Sequence, residues 1–74
     1  MHRLVPAIIE AWRAAERAFE GAAEPQRPEL AQRIHVLQEA HAMAMREGAD
    51  RETVVRFLDE HGLASVVPPT SRPV

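Results

Sequence analysis

The residues of this chain that could do chemistry are few and scattered. There are four histidines, no cysteine and no tyrosine, and all of the nine basic residues are arginines, so lysine is missing as well. His35 and Glu39 stand i,i+4 on a helix-spaced segment and could offer two ligands to a zinc ion. A closed zinc site takes four, and the sequence supplies no obvious third. His41 falls within an apolar stripe and reads as a partly buried polar residue, while His61 ends a helix, where the dipole and the free carbonyls suit an imidazole. Ser65, Thr70 and Ser71 lie in or beside a proline-containing end with no histidine and carboxylate at a telling distance. With no glycine-rich phosphate loop either, this inventory points away from a self-contained enzyme and implies no metal and no cofactor.

What remains is a chain built to pack. At 74 residues it is one domain, and a domain of that size hides only ~60% of the surface its unfolded chain exposes. Without cysteine it lacks the disulfide or thiolate staples of many small folds, which favours association with another chain. The formal charge of −2 provides no broad basic field to draw the protein to phosphate backbones or anionic lipid. No apolar run approaches the ~18 residues of a membrane span, and Glu10, Arg13, Glu16 and Arg17 interrupt residues 1–21 too often for a signal peptide. The expected setting is the cytoplasm, with no membrane partner.

Three glycines, Gly21, Gly48 and Gly62, each follow a stretch of helical apolar spacing. They divide the chain into an all-α, three-helix domain, with helices at about 6–20, 28–47 and 51–61 and an extended proline-rich tail over 64–74, within a single unit spanning 1–74. In the first helix Leu4, Ile8, Trp12, Ala15 and Phe19 form the apolar stripe, and Trp12 and Phe19 read as core anchors. In the second, Leu30, Ile34, Leu37, His41, Ala44 and Met45 form one stripe and Val36, Ala40 and Met43 another. Together they make an arc of roughly 200°, wider than one-sided packing requires. In the third, Asp50 reads as N-cap to Glu52 or Thr53, Val54, Phe57, Leu58 and His61 share one side, and Gly62 with Leu63 fits a Schellman ending in which Leu63 folds back on Leu58.

The spacing of Ala44, Gly48, Ala49, Val54 and Phe57 resembles the helix-turn-helix pattern of DNA-binding regulators. That resemblance implies a third helix offering Arg51, Glu52, Val55 and Arg56 to base edges. Asp50, Glu52, Asp59 and Glu60 outnumber Arg51 and Arg56 there, so nucleic acid is the disfavoured alternative. The leading expectation is a small non-catalytic regulator or adaptor that binds another protein through apolar helical surfaces and self-associates as a homodimer around the second helix. Val36, Leu37, Ala40, Met43, Met45, Val66 and Val67 are its candidate interface. A structural part in a larger assembly is a third possibility.

Overall fold

A computed structural model describes residues 3–69. Three helices and two short 3-10 turns follow one another: α1 (Leu4–Glu20), a turn at Glu24–Gln26, α2 (Arg27–Ala44), α3 (Arg51–Glu60) and a turn at Ala64–Val66. α1 begins two residues ahead of the expected start, which places Pro6 in its first turn, where the missing N–H costs nothing. The segment between α1 and α2 carries a 3-10 turn. Pro25 sits in a 3-10 turn that leads directly into α2, and Pro28 occupies the first turn of that helix. The Arg27 guanidinium lies 5.3 Å from the centre of the Phe19 ring, tying the end of α1 to the start of α2, a contact worth about 0.5–1 kcal/mol where exposed.

α2 is the pillar on which both other helices pack. Trp12 meets His41, and Phe19 shares a depression with Ile34. Rising numbers on α1 thus match falling numbers on α2, and the two run antiparallel. The core takes Leu4, Ile8 and Ala15 from α1, Val36, Leu37, Ala40 and Ala44 from α2, Val54 and Leu58 from α3, and Leu63 after it. Each of the fully buried Leu, Ile and Val side chains contributes about 1.5–3 kcal/mol of transfer free energy.

The fold departs from the sequence reading in five further places. α2 ends at Ala44 rather than Glu47, and residues 45–50 form a six-residue link. Gly21 has φ −94°, so it does not close α1 in the left-handed region, whereas Gly48 and Gly62 have φ 77° and 73°. The Asp50 side chain makes no capping bond to a backbone amide. It accepts instead from the Thr53 hydroxyl at 3.1 Å. The extended tail is corrected as well: Ala64–Val66 is a 3-10 turn that packs on α1 and α3, and Val66 and Val67 lie half-buried against the core. The rest of the expected tail, 70–74, lies outside the described residues. Finally, the wide apolar arc of α2 is largely absorbed by its own chain, since Val36, Leu37 and Ala40 are 4%, 0% and 0% exposed.

Candidate interaction surface

The second stripe of α2, expected to be surplus, meets the inner face of the fold. Val36, Leu37 and Ala40 are therefore core residues and leave the candidate interface; the physical reason is that α1 and α3 flank α2 on two sides and cover both stripes at mid-helix. Met43, Val66 and Val67 are half-buried against that core. Met45 alone of the expected set is freely offered, at 63% exposure. It holds the C-cap position of α2, where its N–H donates to the His41 carbonyl at 3.0 Å.

The apolar surface that stays open lies elsewhere, along one side of the α1–α2 seam. A depression of about 310 Å³ is lined by Ile9, Trp12, Arg13, Glu16 and His41. A second, of about 450 Å³, is lined by Arg13, Glu16, Arg17, Phe19, Glu20 and Ile34. They adjoin along α1, sharing Arg13 and Glu16 in their walls, and are together termed the groove. Ile9, Trp12, Phe19, Ile34 and His41 are all half-buried in it. Ile34 and His41 share one stripe of α2, and Met45, the C-cap residue just beyond Ala44, falls four residues after His41.

Trp12 organises this groove. Its ring stands edge-on to His41, with centroids 5.8 Å apart and planes at 63°, an arrangement worth about 0.5–1.5 kcal/mol beyond area burial. The indole Nε1 is buried with no hydrogen-bond partner, which leaves a desolvation cost of about 1–3 kcal/mol uncompensated. Because the nitrogen is hidden while the residue as a whole is not, Trp12 shows the groove its apolar carbons. Charged side chains rim this floor on the α1 side: Arg13, Glu16, Arg17 and Glu20 are all exposed. Trp12 packs half-buried against the core and, with Phe19, lines this groove as well. The signal that could have found it is Ile9, an isoleucine on the charged flank of α1, where burial does not ask for one.

The other expected sites are distributed as follows. Arg51, Glu52 and Arg56 are exposed on α3, while Val55 is half-buried and packed against the core. The link before α3 is six residues long, where the helix-turn-helix motif joins its helices with three or four. His35 and Glu39 are exposed, and among the described residues no group of three or more His, Asp or Glu is placed to hold a metal ion. The His61 imidazole caps its helix: Nδ1–H donates to the Phe57 carbonyl at 2.8 Å, and the two rings tilt together at 4.4 Å. No helix among the described residues is long and apolar enough to cross a membrane. Comparison with known protein families, with characterised proteins and with solved structures gives no match.

Proposed function

We propose that this domain is a small non-catalytic regulator or adaptor that binds another protein through the groove along the α1–α2 seam. The observation that carries the reading is the concentration of open apolar side chains on one side of that seam: Ile9, Trp12, Phe19 and Ile34 half-buried and Met45 exposed. Scattered exposed apolar residues are ordinary on a protein surface, but a contiguous patch with a charged rim is the form of an interaction site. Trp and Met are also the residue types such sites favour, the first for area at low entropic cost and the second for its adaptable thioether.

The test begins with photo-crosslinking from position 45 in the native host to identify the partner, followed by calorimetric titration with that purified partner. Met45→Glu and Ile9→Glu should each weaken binding at least tenfold, a change that removing a central apolar anchor commonly produces. Circular dichroism should show both variants still helical. A partner whose affinity ignores both substitutions overturns the reading. Tight binding to duplex DNA at ~0.15 M salt, lost in Arg51→Ala and Arg56→Ala, would move the assignment to the helix-turn-helix alternative.

A further inference from the structure

The floor of the groove holds one group whose charge changes near neutrality. Its depression of about 310 Å³ is walled by Ile9, Trp12, Arg13, Glu16 and His41, and of these side chains only the imidazole ordinarily gains or loses a proton between pH 5 and 8. His41 lies in the last turn of α2 and is half-buried, its ring centre 5.8 Å from that of Trp12 with the planes at 63°. Neutral, it is part of the apolar floor; protonated, it is a cation set into that floor. His35 and His61 are placed differently, the first exposed on α2 and the second exposed and bonded to the Phe57 carbonyl. The charged groups that face His41 come from α1: Arg13 and Glu16, of opposite sign, stand in the same walls. On α2 its neighbours three and four residues away are Leu37, Gln38, Ala44 and Met45, none of which titrates. Among the described residues neither α3 nor the Glu24–Gln26 turn, which also pack on α2, contributes a wall here.

A partner that fills the groove covers this ring. A neutral imidazole packed on Trp12 is covered at small cost, whereas a covered imidazolium gives up its hydration and must find an opposite charge in exchange. Glu16 is the one carboxylate in these walls, it is exposed, and Arg13 stands beside it. A partner that brings apolar side chains to Ile9 and Trp12 therefore favours the neutral form. The coupling is reciprocal: if the neutral form binds more tightly, docking drives the proton off, and acid drives the partner off. A partner that set a carboxylate against His41 would show the opposite sign, so the direction of the effect reads the partner's chemistry at this point.

We infer that His41 is a proton switch for the groove: the neutral imidazole admits an apolar partner, and protonation beside Trp12 turns that partner away. This deepens the adaptor reading and rests on it. As the partner docks, one proton passes from the fraction of His41 that is protonated to solvent. Trp12 is the only tryptophan, so its emission reports on His41 in the free chain. Acidification from pH 8 to 5 should quench it, because an imidazolium quenches a neighbouring indole more than the neutral ring does. His41→Gln should abolish that titration, and His35→Gln and His61→Gln should retain it, with circular dichroism showing all three helical. Calorimetric titration of the full chain with the partner captured from position 45 should then show affinity falling roughly fivefold or more between pH 7.5 and 5.5, the lower end of ordinary coupling between two sites. In His41→Gln only the partner's own pH dependence should remain. Heats measured in buffers of different ionisation enthalpy should show proton release that the variant lacks. Trp12 emission indifferent to His41, an equal loss of affinity in wild type and His41→Gln, or an affinity that rises in acid through His41 would each overturn the inference. At pH 7.5 the Met45→Glu and Ile9→Glu comparison judges the adaptor reading separately, so those losses without a His41 effect would leave the adaptor standing and remove the switch.

Discussion

Two helix ends in this molecule carry the same signal and behave differently. Gly48 and Gly62 sit in nearly the same left-handed conformation, φ 77° and 73°, and a Cβ on either would meet nothing within 4 Å. After α3 the chain closes cleanly. Gly62 N–H donates to the Asp59 carbonyl at 3.1 Å and Leu63 N–H to the Leu58 carbonyl at 2.8 Å, the paired bonds of a Schellman ending. After α2 the chain unwinds for six residues before α3 begins. What separates the two ends is the residue that follows the glycine. Leu63 is 7% exposed and lies with Leu58 in the core, while Ala49, half-buried, brings only a methyl. A glycine permits a helix to end; a buried apolar residue beyond it decides where. The looser end is also the one that leaves Met45 in solvent, so the local weakness and the candidate binding surface share one cause.

The comparison would break most visibly at Leu63. Leu63→Ala removes the apolar anchor from the tight end and should cost about 2–3 kcal/mol, the lower part of the range for buried leucine truncations, because the site lies at the edge of the core. Met45→Ala, at the loose end, should stay within about 0.5 kcal/mol, as surface substitutions do. Urea denaturation of both variants measures the difference directly. Equal losses would show that the two ends are anchored alike and that burial of Leu63 is not what distinguishes them.

The same contrast explains what could be read from the residues beforehand. The three helices and the Schellman ending are legible because each rests on local spacing: Leu4 to Ala15, Val54 to Leu58, and Gly62 beside Leu63. The end of α2 is not, because Met45, Arg46 and Glu47 are all good helix formers and nothing in their types marks a stop before Gly48. The burial of Val36 and Ala40 escapes the spacing for a related reason. Periodicity tells how wide an apolar arc is, but not how much of it a ten-residue helix and a short turn can shelter. The proline-containing end was read as extended because Pro68 and Pro69 exclude helix, yet Ala64–Val66 precedes them and is free to turn and pack. Of the candidate surface, only Met45 was visible in advance. Trp12, which reads as a core anchor, does pack half-buried against the core, but it and Phe19 also remain partly open.

A sharper version of the comparison substitutes the glycines themselves. An L-residue held in the left-handed region costs roughly 1–2 kcal/mol. At Gly62 the strain cannot relax without pulling Leu63 from the core, so Gly62→Ala should show the full penalty. At Gly48 the link can shift its dihedrals with no buried side chain in tow, so Gly48→Ala should cost about 0.5–1 kcal/mol. Thermal melts of the pair would settle the order, and a larger loss at Gly48 would mean that the link, not the anchored turn, is the rigid element.

The smallest expected effect concerns the start of α3, directly across the loose link. Asp50 has the extended backbone of an N-cap, φ −107° and ψ 124°, but its carboxylate accepts from the Thr53 hydroxyl instead of a backbone N–H. The helix is thus started by backbone geometry and by the Val54 N–H bond to the Asp50 carbonyl at 3.2 Å. Asp50→Ala should therefore cost about 0.5 kcal/mol, short of the ~1 kcal/mol typical of a working cap, with the residual effect due to the lost negative charge at the positive end of the helix. Asp50→Asn removes that charge and keeps the acceptor, so it should recover less than half of the loss. Full recovery by asparagine would show that the side chain caps the helix in solution and that α3 is held as firmly at its start as at its end.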